Sequence, residues 1–190
     1  LSLKGKLLSS FIQSVTVRTA GFNTIDLSIM HESTMFVMII LMFIGASPAS
    51  TGGGVKTTTI ATLILTVKAF ILEKQDVEVY NRRIGGMTIR KSLGIFFIAT
   101  VVVVCGTLII SLTDSSFNLI ESGFEVVSSF ATVGLSIGGS ANLTTMAKIL
   151  IMIFMFMGRV GSLTIFMALA SRGVKNNSPI RYPEGKIIVG

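Results

Sequence analysis

The chain has 190 residues, 51 % of them hydrophobic, with 16 Lys and Arg against nine Asp and Glu and a formal net charge of +7. Its mean hydropathy of +0.80 excludes an ordinary water-soluble domain. The basic excess flanks apolar spans, so the charge reads as a topology signal and argues against nucleic acid as a partner.

Residues 5–17 form an amphipathic stretch too short to span a bilayer before it stops at Thr19, Ala20, Gly21 and Phe22. It reads as a re-entrant pore helix entering from outside, sheltered by protein. The chain opens at Leu1 already on the approach to this turn, so it reads as a fragment. Asp26, His31 and Glu32 fall in an external connection, where a lone histidine is ordinarily solvated and not a metal ligand.

Residues 33–72 then run inward as a broken helix. The apolar run reaches Gly45, is interrupted by Ala46, Ser47, Pro48, Gly52, Gly53, Gly54, Val55 and Lys56, and resumes at residues 60–67. Pro48 and three consecutive glycines disfavour a continuous helix. Gly45 comes only about 18 Å after Ser33, short of a hydrocarbon core of roughly 30 Å, so the interruption is expected at membrane depth. Unwound backbone is tolerated there where it lines a wet cavity or is buried in protein, which makes it a candidate gate. The alternative places it in a cytoplasmic loop.

Residues 73–91 form a basic linker. Residues 92–112 run 21 positions without a charge, long enough to cross outward. Cys105 lies in this run and reads as a small buried hydrophobe; a single cysteine offers no disulfide framework. A second pore helix is expected at residues 117–131, ending at Thr132, Val133, Gly134 and Leu135, with a second inward helix at 145–171 and a tail at 172–190. Ten of the 16 basic residues lie in or beside the linker and tail, which assigns both to the cytoplasm. Glu121 and Glu125, four apart on the second pore helix, read as braces toward Arg18 or Lys148.

Two copies of one unit are related by an offset of 113 residues. Thr19-Ala20-Gly21 matches Thr132-Val133-Gly134, and Met42-Phe43-Ile44-Gly45 matches Met155-Phe156-Met157-Gly158. Duplicated membrane units packed about an axis leave a central site. A filter for a dehydrated cation must replace water with oxygens, and backbone carbonyls do so without a fixed charge that would trap the ion. Gly21 and Gly134 suit such a turn because glycine adopts angles closed to other residues and leaves room at the axis. The C-terminal ends of the pore helices add partial negative charge.

Arg159 is too deep in its helix to snorkel to either end, so it must face protein or water. At the repeat offset it matches Ala46, where the interruption begins. It reads as a charge below the filter that repels the permeant ion or anchors the loop; a structural ion pair is the alternative. The run Gly52-Gly53-Gly54-Val55-Lys56-Thr57 superficially resembles a nucleotide phosphate cradle, but Val55 stands where that motif requires glycine and no βαβ unit surrounds it. A membrane scaffold without its own conducting path is the other alternative to a pore.

The two Thr-x-Gly turns, the interruption 45–58 and Arg159 together closely resemble the membrane subunit of Ktr/Trk potassium transporters, the Ktr type especially. The resemblance implies an all-α membrane protein of four membrane-pore-membrane repeats around one pore. This chain corresponds to the third repeat without its first helix (1–72) and the complete fourth (92–171). It implies that K+ is coordinated by filter carbonyls at Thr19 to Phe22 and Thr132 to Leu135, with Gly45, Ala46, Ser47, Pro48, Gly52, Gly53, Gly54, Lys56 and Arg159 at the gate. It further implies a multi-pass protein of the cell membrane and a homodimer docked on a cytosolic ring of nucleotide-binding regulatory subunits. Na+ would be an activator, and no cofactor or enzymatic activity is expected in this chain. Two repeats cannot surround an ion, so the remainder of the four-repeat pore is an expected partner.

Overall fold

Apolar segments broken by glycine, proline and short polar turns can satisfy their backbone in a low-dielectric setting only as helices, and helices dominate the fold. The computed structural model describes residues 2–114, 117–138 and 143–161. In chain order these hold α1 (Leu3–Thr16), a 3₁₀ turn (Leu27–Ile29), α2 (Glu32–Phe43), α3 (Thr57–Ile71), strands β1 (Glu78–Val79) and β2 (Arg82–Arg83), α4 (Gly86–Thr113), α5 (Leu119–Phe130) and α6 (Thr145–Val160). The expected helical architecture is present. The end of the second inward helix and the tail 172–190 lie outside the described residues.

The inward run is broken as its composition requires, into α2 and α3 with residues 44–56 between them. The linker contains a tight hairpin in which Glu78 pairs with Arg83 and Val79 with Arg82. Tyr80 and Asn81 supply the two positive φ angles that a two-residue hairpin turn needs. An exposed Arg83–Asp76 ion pair at 2.8 Å flanks it and contributes little in water.

α4 starts at Gly86, so Arg90 and Lys91 occupy its first turns and not the linker. The hydrocarbon core sets where charges stop, but a helix continues into the interface as long as its hydrogen bonds persist. Its 28 residues extend about 42 Å. It is the helix among the described residues that is long and apolar enough to cross a membrane. Cys105 corrects its expectation: it is exposed. α4 buries one face, through Ala99, Gly106 and Ile110, and Cys105 shares the outward face with Val101, Val104 and Leu108.

α5 is the centre of the fold, packed on by α2, α4 and α6, while α3 lies against α4. Residues 122–130 of α5 are all buried. Asn118 and Glu121 close its N-terminus with a reciprocal capping box. α1, its repeat partner, buries only Gln13 and Thr16 and exposes Leu3, Leu7 and Phe11. Among the described residues two clusters make the core: Phe124, Val127 and Val133 with Met35, Met38 and Met42, and Val126 and Phe130 with Ala99, Ile110, Ile151 and Phe154.

Candidate functional site

Each pore helix ends by folding its last amides back on itself. After α1 the Ala20 and Gly21 N–H groups donate to the Thr16 carbonyl at 3.1 and 3.4 Å; after α5 Val133 N–H donates to the Ser128 carbonyl at 2.9 Å. The turns then take the same unusual path. Thr19 and Gly21 have φ of 69° and 74°, Thr132 and Gly134 of 55° and 85°. A threonine in this region is strained by about 1–2 kcal/mol, so its recurrence in both copies needs contacts that enforce it.

Those contacts come from two sides. On the outer side a pore-helix hydroxyl pins each limb: Thr16 Oγ1 donates to the Phe22 carbonyl and Ser128 Oγ to the Leu135 carbonyl, both at 2.5 Å. On the inner side lies the interruption. Gly53 N–H donates to Thr132 Oγ1 at 2.8 Å. A Cβ on Gly52 would meet the Thr19 side chain, and one on Gly53 would meet Thr132 and the Phe130 carbonyl. The two turns also touch one another, since a Cβ on Gly21 would overlap the Val133 carbonyl; one on Gly134 would meet nothing within 4 Å.

The interruption is closed at its base. Gly45 N–H donates to the Val55 carbonyl at 2.9 Å and Val55 N–H to the Phe43 carbonyl at 3.1 Å, forming a parallel bridge. Ala46 lies beside Gly52 and its carbonyl accepts from Thr57 N–H, while Ser47 and Pro48 sit in an exposed turn that ends with Ser50 N–H on the Ser47 carbonyl. Two cations hold the tip. Lys56 Nζ donates to the Ser50 carbonyl at 3.2 Å and the Gly52 carbonyl at 2.6 Å, and Arg159 Nη1 donates to the Thr51 carbonyl. A cavity of about 540 Å³ opens beside them, lined by Ser50, Thr51, Lys56, Thr59 and Arg159 among others. The resemblance to a phosphate cradle does not extend to geometry. The Gly53 and Val55 amides are already bonded, Val55 is 1 % exposed, and Lys56 is engaged with carbonyls.

The matrix of matched glycines has a common physical cause. Gly45 admits the Gly53 carbonyl where any side chain would overlap it, and Gly158 admits the Phe130 carbonyl in the same way. Gly45 thus seats the end of α2 against the interruption, and Gly158 seats α6 against the end of α5.

Comparison with known proteins now bears on this geometry. Residues 1–176 match the family model described as TrkH, cation transport protein. The chain belongs to the TrkH family of cation transport proteins. It is 40 % identical to Ktr system potassium uptake protein D of Bacillus subtilis over 97 % of its own length and 40 % of that protein's. It is 37 % identical to Ktr system potassium uptake protein B of the same organism, over 100 % of its length and 42 % of the relative's. Its fold matches the crystal structure of the potassium transporter TrkH from Vibrio parahaemolyticus with a TM-score of 0.67 at 22 % identity, covering 81 % of this chain and 35 % of that one. The chain thus spans about two fifths of the length of the curated relatives it matches. Family membership and the apolar span of α4 place this chain in a membrane.

Within this TrkH-family chain, the two glutamates of α5 correct their expected roles. Glu121 accepts from its own helix start, Asn118 N–H, at 2.9 Å. Glu125 is buried and turned toward the outer limb of the second filter-like turn, where Oε1 accepts from Ser136 Oγ and Ile137 N–H. An i to i+4 pattern placed both on one face; α5 is buried from residue 122 onward, so Glu125 meets the Ser136 hydroxyl and the Ile137 amide of the limb folded back along it. Thr16 and Ser128 were also not singled out. The signal available was a hydroxyl residue one turn before Thr-x-Gly in both copies.

Proposed function

We propose that this chain supplies two adjacent quarters of a cation pore that carries out potassium uptake across the cell membrane. Thr19 to Phe22 and Thr132 to Leu135 provide the backbone carbonyls of the filter, and the interruption 45–56 with Arg159 forms the gate beneath it. The observation that carries this reading is the stacking: two matching turns touch through Gly21 and the Val133 carbonyl, and glycines of the interruption lie against the threonine of each. A loop so placed blocks the inner side of the filter and is held there by a few hydrogen bonds that Lys56 and Arg159 supply. The Ktr relatives are named as potassium uptake proteins, which supports K+ as the ion.

The complete pore needs two further quarters. The open side of Gly134 supports this, because its repeat equivalent, Gly21, is in contact there with the next turn. A homodimer, a cytosolic nucleotide-binding ring against the basic linker and tail, and activation by Na+ are carried by the family resemblance. The division into a third repeat without its first helix (1–72), a linker (73–91), a complete fourth repeat (92–171) and a tail (172–190), with the linker and the tail cytoplasmic, belongs to the same reading.

The test is potassium against sodium flux in liposomes carrying the complete transporter, native and with Gly134→Ser. A serine at Gly134 adds a side chain on the open side of the turn, where the next quarter would pack, so in transporter that assembles the discrimination between the ions should fall. Unchanged selectivity and rate would leave Gly134 as a helix terminator and favour the scaffold reading.

A further inference from the structure

The two filter-like turns are not held alike. Past Gly21 the outer limb is tied to its pore helix by Thr16 Oγ1 on the Phe22 carbonyl. Past Gly134 the limb is tied by Ser128 Oγ on the Leu135 carbonyl at 2.5 Å, and again by Glu125, whose Oε1 accepts from Ser136 Oγ at 2.6 Å and from Ile137 N–H at 3.0 Å. Glu125 is 4 % exposed. At the repeat offset its counterpart is Ile12, an apolar residue that is 41 % exposed and offers no acceptor.

A buried carboxyl group is tolerated only while it is hydrogen-bonded, and removing its partners leaves its desolvation uncompensated. Residues 136 and 137 therefore cannot move away from α5 without stranding Glu125. α5 is itself packed on by α2, α4 and α6 and buried over residues 122–130, so the carboxylate ties the limb to an enclosed element of the fold.

We infer that Glu125 is a positioning residue for ion selection: it acts through Ser136 and Ile137 to fix the limb beyond Gly134, making the second filter turn the stiffer of the two. This inference rests on the reading of Gly134 as part of a filter. Glu125 touches no ion in this role. It sets how far the neighbouring carbonyls can yield around a smaller cation.

The experiment measures the potassium-to-sodium flux ratio of the complete transporter in liposomes for Glu125→Ala, Glu125→Gln, Ser136→Ala and the double variant Glu125→Ala with Ser136→Ala. Glu125→Ala should lower the ratio about tenfold, the scale set by losing two buried hydrogen bonds. Glu125→Gln keeps an oxygen that accepts from both donors and should retain most of the ratio. Ser136→Ala should lower it less, since Ile137 N–H still holds the carboxylate, and the double variant should fall short of the sum of the two single effects, because they share one bond. If Glu125→Ala fails to assemble, Ser136→Ala and Glu125→Gln still decide. A native ratio in Ser136→Ala, or a loss in Glu125→Gln as deep as in the alanine variant, overturns the inference. If Gly134→Ser lowers the ratio and Glu125→Ala does not, this inference fails alone; if neither changes it, the filter reading fails first.

Discussion

Gly21 and Gly134 share a motif, a repeat position and a positive φ, yet their surroundings predict different costs. Alanine at Gly134 meets open space and carries only the strain of its backbone, about 1–2 kcal/mol. Alanine at Gly21 adds an overlap with the Val133 carbonyl, a backbone atom that cannot rotate away. Thermal unfolding of the 190-residue chain in detergent should show Gly21→Ala losing distinctly more stability; equal losses would mean the two turns do not abut as described. The glycines were legible in the sequence because a turn with positive φ favours that residue type wherever it occurs. Glu125 was not, because its partners lie 11 and 12 residues away and meet it only once the limb folds back along α5.

At the scale of elements, the interface between α5 and α6 turns on Gly158. A Cβ there would overlap the Phe130 carbonyl at the C-terminal end of α5, so Gly158→Ala must push α6 away from the filter turn, at a cost of about 1–3 kcal/mol for overpacking. Gly94 is the contrast. It lies inside α4 with nothing within 4 Å of a Cβ, and Gly94→Ala should stabilise the helix by about 0.5–1 kcal/mol. Denaturation midpoints of the two variants should shift in opposite directions, and a destabilising Gly94→Ala would mean that another surface packs there. A third glycine tests the gate. Gly53→Ala would crowd Thr132 and the Phe130 carbonyl, displacing the loop from the filter, so potassium flux should rise with selectivity kept. Flux unchanged or lowered would argue against the loop as the barrier. The break between α2 and α3 was legible because Pro48 and consecutive glycines oppose helix locally. The start of α4 and the exposure of Cys105 were not. Both depend on which face neighbours cover, and apolarity alone does not separate a face toward lipid from a face toward protein.

For the whole molecule, the repeat offset explains a groove. Between α1 and α2 lies a largely apolar pocket of about 300 Å³ lined by Gln13, Val17, Thr34, Met38 and Leu41 among others. Displaced by the offset, these become Val126, Phe130, Ala147, Ile151 and Phe154, all members of the buried cluster that α4 fills through Ala99 and Ile110. α4 comes closest at Gly106, whose missing side chain leaves room for Phe154 and Val126, the counterparts of Leu41 and Gln13. The groove is thus the place where the first copy would receive a helix equivalent to α4. Gln13 supports the same conclusion, being 7 % exposed with neither side-chain nitrogen nor oxygen hydrogen-bonded. A buried amide so placed costs about 1–3 kcal/mol until a partner arrives, so the incoming helix should offer a small residue and a polar group at this level. With Cys105 replaced by serine, a cysteine introduced at Ser14 should react with a membrane-permeant maleimide in the 190-residue chain and be protected in the complete transporter. Equal labelling in both would show that the groove stays open and that the pseudosymmetry of the two repeats stops at their Thr-x-Gly turns.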